Sequence, residues 1–363
     1  MMKVKFTDVF EDVTKYGTKI STDKYIESGC YPIVDQGKSQ IAGYIDNREG
    51  LYENIPAIIF GDHTRVVKYI DFPCFLGADG VKLLKPKDDR FDCKYLYYVL
   101  SNARIPNTGY NRHYKWLKEV SIPIKSVEEQ ERIVSVLDKI SELISLRRQQ
   151  IEKLDELVKA RFVELFGDFI ERTSSVDFES ICEFVTVGIA NSATHAFCDD
   201  GVIMFRNQNI KEDYLDTSDI VNITPDFASK YKSKMLKKDD LLIVRTGYPG
   251  VACLVPEQYE GCQTFTTLIA RLKNTDIINP RFVCHYINSE YGKKYVKDNS
   301  AGAAQQNFGA TALSKLPICI PPIELQDEYI RFVEQTDKSK LTIQQSLDKL
   351  ELLKKSLMQK YFG

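Results

Sequence analysis

Residues 117–167 of this 363-residue chain align with residues 313–363 at a constant offset of 196, without a gap. Twelve positions are identical, among them Glu128/Glu324, Gln130/Gln326, Leu154/Leu350, Leu157/Leu353 and Phe166/Phe362. A weaker match sets Phe6, Val9, Glu11, Val13, Thr14 and Gly29 against Phe178, Ile181, Glu183, Val185, Thr186 and Gly201, at an offset of 172. The two offsets mean that the second copy carries 24 extra residues between the matched stretches. Such a repeat is one structural plan used twice, here a globular unit followed by a helix. The length, too great for one ordinary domain, divides accordingly into 1–127, 128–167, 168–323 and 324–363.

The helical parts read clearly. From Glu128 the chain has no Gly or Pro until Gly167, and Ile133, Leu137, Ile140, Ile144, Ile151, Leu154, Val158 and Leu165 keep a heptad spacing broken by Arg147 and Arg161. The second copy places Val333, Ile343, Leu347, Leu350, Leu357 and Tyr361 on the equivalent seam, interrupted by Thr336, Lys340 and Lys354. At ~1.5 Å per residue each rod is about 57 Å long, and a rod cannot bury its own stripe. The chain leaves one rod, builds a globule and returns with the other. An intramolecular antiparallel coiled coil is therefore expected, with a homodimeric coiled coil as the alternative. The repeated LFG (165–167) and YFG (361–363) read as helix ends with Gly just past the last turn.

Within the globular parts, short apolar runs bounded by Gly, Pro and Asp read as strands: 31–37, 57–61, 80–86, 202–206, 240–247 and 266–273. Helical stretches follow at 94–102 and 281–296. The fold class is α+β, two strand-rich domains separated by two long helices. With 43% hydrophobic and 28% charged residues the composition is that of a soluble globular protein. Nine scattered Cys without a C-x-x-C pair point to reduced thiols and a cytoplasmic location. Neither a signal peptide nor a membrane span is evident. No P-loop, dinucleotide fingerprint, H-E-x-x-H or nucleophile elbow occurs, and the four His stand apart from any metal-ligand spacing. A non-catalytic chain holding no metal or cofactor of its own is expected.

The loops carry planar hydrogen-bonding chemistry instead. Ahead of the first rod, Asn107, Tyr110, Asn111, Arg112, His113, Tyr114 and Lys115 stand almost side by side; ahead of the second, Gln305, Gln306 and Asn307 lie among small residues. His63, Arg65 and Lys68 form a further cluster in the first unit, and Arg206, Asn207, Gln208, Arg245, Thr246 and Tyr248 in the second. Asn and Gln can pair with adenine and Arg with guanine in the major groove, while Lys and Tyr suit phosphates. Taken singly, each cluster also reads as an ordinary polar loop, and Arg112 also reads as a structural partner of Glu119 or Glu128. Trp116 reads as packing. Clusters at the same place in both units favour nucleic-acid binding over that reading.

The plan globule–rod–globule–rod, with IPI (122–124) and ICIPP (318–322), a Glu-x-Gln at each rod entrance and a long heptad helix, resembles the specificity subunit of type I restriction–modification systems. TGYNRHYKWLKEVSIPI and AGAAQQNF…LSKLPICIPPIELQ look like the ends of that family's two target-recognition domains. One departure is Lys125-Ser126 where the second copy has Pro321-Pro322, the commoner pattern, which leaves that turn open to a different geometry. The resemblance implies a double-stranded DNA reader in which each unit takes one half of a bipartite, asymmetric site while the rods set the spacer. It implies two modification subunits that methylate adenine with S-adenosylmethionine, and restriction subunits that cleave with ATP and Mg. A duplicated coiled-coil adaptor without a nucleic-acid role is the alternative. The formal charge of −2 hides an uneven split, a surplus of three basic residues in 1–127 and of three acidic ones in 168–323. Few cations are free for counterion release, so the chain alone is expected to bind DNA weakly.

Overall fold

The computed structural model describes residues 3–77, 79–109, 111–190, 193–273, 276–302 and 306–363. It falls into two compact units, residues 1–150 with 343–363, and residues 151–342.

In the first unit the strands are β1 (Lys3–Lys5), β2 (Phe10–Asp12), β3 (Tyr31–Val34), β4 (Gly43–Ile45), β5 (Ala57–Gly61), β6 (Val67–Ile70), β7 (Phe75–Leu76), β8 (Val81–Pro86) and β9 (Ser121–Pro123). Helices are α1 (Phe6–Val9), α2 (Cys93–Asn102), α3 (Tyr114–Leu117) and α4 (Val127–Arg172). One sheet has the order β2-β8-β5-β6, a second β4-β3-β7, and β1 pairs with β9. The continuous apolar run Ala57–Phe60 is explained by burial on both faces. Ile58 and Phe60 join a core with Tyr95, Leu96 and Val99 of α2. Ala57 and Ile59 join another core with Val34, Leu76 and Leu83.

The second unit repeats this plan with additions. Its strands are β10 (Val176–Asp177), β11 (Cys182–Val187), β12 (Phe197–Cys198), β13 (Val202–Phe205), β14 (Ile210–Lys211), β15 (Tyr214–Leu215), β16 (Val221–Ile223), β17 (Leu241–Ile243), β18 (Ala252–Leu254), β19 (Gln263–Thr264), β20 (Leu268–Leu272) and β21 (Pro317–Ile318). Helices α5 (Pro225–Ser229), α6 (Pro280–Asn288), α7 (Glu290–Asp298), α8 (Ala310–Ser314) and α9 (Ile323–Phe362) complete it. The sheets run β11-β20-β17-β18 and β12-β16-β13-β19. Val4 pairs with Ile122 in one unit and Val176 with Ile318 in the other, so both repeat offsets meet in a single strand pair.

Each rod entrance is built around a fully buried glutamine. The Gln130 amide donates to the carbonyls of Arg90 (2.8 Å) and Lys125 (3.0 Å) and accepts from Asp92 N–H (2.9 Å), the cap residue of α2. Gln326 donates to Ile277 (3.0 Å) and Pro321 (2.8 Å) and accepts from Asn279 N–H (2.9 Å), the cap residue of α6. Lys125-Ser126 and Pro321-Pro322 serve the same turn because both supply the carbonyls it needs: Lys125 and Pro321 accept from the glutamine side chain, and Ser126 and Pro322 from its N–H.

The long helices pair antiparallel. Arg148 meets Glu351 at 2.6 Å in the first unit, and in the second Lys340 meets Asp155 at 2.5 Å and Arg161 meets Glu328 at 2.7 Å. Leu137, Ile140, Ile144, Val158 and Leu347 are buried; Ile151, Leu154, Ile343, Leu350 and Leu357 are half-buried. Two of the polar interruptions of the seam, Arg161 and Lys340, thus become ion pairs between the helices.

Two expectations need correction. α4 does not stop at Gly167; it runs on to Arg172. The repeated feature there is the phenylalanine. Phe166 packs on Phe282 (4.9 Å between ring centres) and Tyr329 (5.4 Å), and Phe362 on Tyr95 (5.6 Å). The helix expected over 281–296 is two, because Ser289 leaves helical backbone and caps α7 through Gly292 N–H. A Cβ at Gly292 would sit 2.2 Å from the Ile287 carbonyl, so only glycine fits that corner.

Asp213, in the β14–β15 turn, receives Arg281 (2.8 Å) and lies 3.3 Å from His285, while Arg281 also reaches Asp337 (2.6 Å). Burial alone would raise the Asp213 carboxyl, but the hydrogen bonds and charges of His285 and Arg281 outweigh it and hold it at about 2.

Two outcomes follow. Gln130→Ala orphans two buried carbonyl acceptors and one N–H donor at once, and urea unfolding should show a loss of about 3 kcal/mol. The contribution of Asp213 is full above its ordinary value of 3.8 and is lost as pH falls towards about 2. Asp213→Asn should accordingly flatten the acid limb of the unfolding midpoint measured below about pH 5.

Candidate nucleic-acid interface

In the first unit, Asp62 follows the last residue of β5 and is 4% exposed. Its carbonyl accepts from His113 N–H (2.8 Å) and His113 Nδ1 (2.9 Å), and its Oδ1 accepts from Tyr114 N–H (2.6 Å). The run before the rod is thereby stitched to the end of a central strand, bringing the 61–68 and 107–118 clusters together. Asn107, Asn111, Arg112 and Lys115 are exposed around the stitch. Asn107 Oδ1 accepts from Gly109 N–H (3.2 Å), and Asn111 Nδ2 donates to the Thr108 carbonyl. Lys115 lies over the Trp116 ring, 5.0 Å from its centre. Neither Glu119 nor Glu128 pairs with Arg112 among the described residues. Tyr110 lies outside the described residues.

Two candidates in this unit, Lys68 and His113, are buried, and a third, Tyr114, is half-buried. Lys68 is 4% exposed, donates to the Ser39 carbonyl (2.5 Å) and sits 3.5 Å from Asp35. Burial pushes its ammonium below the usual range despite that carboxylate. His113 is fully buried. Tyr114 packs edge-on against Phe6 (6.1 Å), and burial pushes its phenol up. A side chain enclosed in this way offers no edge to a base, which corrects the expectation for Lys68 and His113. Arg65 has a left-handed backbone (φ 63°) and donates to the Ile105 carbonyl (3.2 Å). His63 is half-buried, its N–H donating to Gln36 Oε1 (3.2 Å).

The second unit repeats the stitch. Phe308 N–H donates to the Arg245 carbonyl (2.9 Å), just beyond the end of β17, and Phe308 is fully buried. Around it three loops knit together. Arg245 Nε donates to Asn307 Oδ1 (3.0 Å), Asn207 Nδ2 to Thr246 Oγ1 (2.9 Å), and the Tyr248 hydroxyl to the Asn207 carbonyl (2.8 Å). Gln208, Gln306, Asn307 and Tyr248 are exposed. Gln305 lies outside the described residues. Arg206 is held by Asp219 (3.1 Å), which also accepts from Gln208 Nε2 (2.6 Å), so a carboxylate partly offsets this edge. The nearby run 262–267 is largely core, with Gln263 and Thr267 fully buried.

The positioning groups Asp62, Thr108 and Asp219 escaped the sequence reading. Asp62 lies in sequence beside the basic residues of the 61–68 run, and nothing local marks Asp219 as a partner of Arg206. Among the described residues no cluster of His, Cys, Asp and Glu could hold a metal ion. No described helix is long and apolar enough to cross a membrane.

Residues 1–156 and 175–352 match the type I restriction modification DNA specificity domain. The chain is similar to the EcoR124I/EcoR124II specificity subunit of Escherichia coli, 30% identical over 147 residues, which are 37% of this chain and 36% of that protein. It is also similar to the MjaVIII specificity subunit of Methanocaldococcus jannaschii, 22% identical over 313 residues covering 78% of this chain and 74% of the relative. The first match thus spans about a third of its relative's length. The crystal structure of a type I S subunit from M. genitalium covers all of this chain and 96% of its own at a TM-score of 0.59 and 16% identity. A chain from a structure of type I R-M complex assembly and conformational transition covers 99% of this one and 97% of its own, at a TM-score of 0.54 and 13% identity. These two likenesses concern the fold. The relatives support the DNA-specificity reading and not the adaptor. With both units and most of both long helices inside the matched region, the chain belongs to the type I restriction modification DNA specificity domain family.

Proposed function

We propose that this chain is the address-reading, non-catalytic subunit of a type I restriction–modification assembly in the cytoplasm. Each unit reads one half of a split, asymmetric site in duplex DNA, and the paired helices set the spacer. Two modification subunits dock on the helices and adjoining surfaces and methylate adenine with S-adenosylmethionine; restriction subunits join them and cleave with ATP and Mg. The observation that carries this reading is the repeated stitch. In both units a loop before a long helix is fastened beside the end of a central strand, and polar side chains surround the fastening.

The two surroundings differ in chemistry, which supports an asymmetric site. The first offers an exposed Arg112 with Asn111 and Lys115, suited to guanine, adenine and phosphate respectively. The second offers amides, with Arg245 already engaged by Asn307.

Binding of the chain with its modification partner to a randomised duplex library should select a split motif. Arg112→Ala should relax one half-site by about 1–3 kcal/mol and leave the other unchanged. Lys115→Ala should weaken binding evenly across sequences and lower the salt slope by about one. Deleting a heptad from both long helices should change the preferred spacer, whereas deleting it from one should break the pairing. A spacer that stays fixed after the double deletion would exclude the ruler.

A further inference from the structure

The Asp62–His113 stitch is asymmetric between the units in one respect that bears on specificity. In the second unit the plug is a phenylalanine, Phe308, fastened through its backbone N–H with the Arg245–Asn307 side-chain bond beside it. In the first the plug is an imidazole with work at both nitrogens. Nδ1 faces the Asp62 carbonyl at 2.9 Å, and a carbonyl can only accept, so Nδ1 carries the proton. Nε2 faces Thr108 N–H at 3.5 Å and Thr108 Oγ1 at 3.3 Å, and a backbone N–H can only donate, so Nε2 is the acceptor. The contacts thus select one neutral tautomer, with a proton on Nδ1 alone.

The ring therefore ties three points of the chain together: the end of β5 through Asp62, the start of α3 through its own backbone, and the loop at Thr108. Asp62 adds a fourth tie by accepting from Tyr114 N–H at 2.6 Å. Arg65 holds the same loop farther back, at the Ile105 carbonyl, 3.2 Å away. Asn111 and Arg112 lie between Thr108 and His113, inside the segment these ties close. Neither Asp62 nor His113 is open to DNA, being 4% and 0% exposed.

We infer that Asp62 and His113 are positioning residues for the first half-site: they touch no base and hold Asn111 and Arg112 in the one arrangement that discriminates between bases. This rests on the reading of the first unit as a half-site reader. Base readout is bidentate and directional, so a loop free to shift keeps its charge near the phosphates and loses its choice of base.

The test uses the full chain with its modification partner and a randomised DNA duplex library. Asp62→Ala removes the acceptor for Tyr114 N–H, while Asp62→Asn keeps an acceptor oxygen there. His113→Phe copies the plug of the second unit and removes both imidazole contacts. Discrimination at the first half-site should fall roughly tenfold or more in Asp62→Ala and His113→Phe. It should return in Asp62→Asn, with the second half-site and the salt slope unchanged throughout. Thermal unfolding of His113→Phe at the wild-type midpoint separates positioning from general collapse, and this variant decides the matter if Asp62→Ala does not fold. A wild-type split motif that survives intact in His113→Phe overturns the positioning role alone. Equal losses in both half-sites overturn it too. A wild-type chain that selects no motif overturns the half-site reading and this role with it.

Discussion

Much of this molecule depends on one buried carboxamide, used twice. Gln130 and Gln326 each give two hydrogen bonds and take one, all to backbone, where water does not reach. A carboxylate could not donate, and an apolar residue would orphan three backbone groups. The bonds join the start of a long helix to the cap of the helix that covers the sheet. The long helix, the covering helix and the sheet are thereby oriented together, and the strand end that carries the polar loops inherits its place from them. The cost of burying the amide is met because every polar atom that the glutamine brings is satisfied.

Polar residues in the two loop clusters divide into those that hold and those that are held. Lys68, His113, Asn207 and Arg206 are engaged by neighbours within their own unit, Arg112, Lys115 and Gln306 are presented at the surface, and Asn111 is both exposed and tied to the Thr108 carbonyl. A supported side chain has less ordering entropy to lose at binding and keeps its directionality. The second unit builds its support from side-chain amides on three loops, the first from a backbone carbonyl and a buried imidazole. One plan therefore supports two surfaces of different chemistry.

The repeat made the architecture legible, since a constant offset in sequence becomes a shared register in space, as Val4/Ile122 and Val176/Ile318 demonstrate. β5 was legible because a strand covered on both faces must be apolar at every position. The heptads marked two helices whose apolar stripes need a partner, and the return of the chain between them made the antiparallel pairing legible. Other features depend on distant partners and leave no local signal. Gly167 looks like a helix stop, yet its ideal Cβ would meet nothing nearer than 3.5 Å and the helix continues. Lys68 looks like a phosphate ligand until Asp35 and Ser39 are found beside it. The break between α6 and α7 is set by a Ser cap and a crowded Gly inside an otherwise helical pattern.

The first compact unit is not contiguous along the chain. Residues 1–150 share it with 343–363, and Leu357, Met358, Tyr361 and Phe362 pack against the core that Tyr95, Leu96 and Val99 begin. Residues 151–342 need no such distant complement. On the ribosome, the segment made first is consequently the one completed last. Its apolar helix-facing surface waits, uncovered, while nearly two hundred further residues are synthesised, and the second unit has all of its own parts before the first does. Chain order and the order in which the two units become complete run in opposite senses in this protein. The interval between them is when its first half is most exposed to aggregation and to cellular quality control.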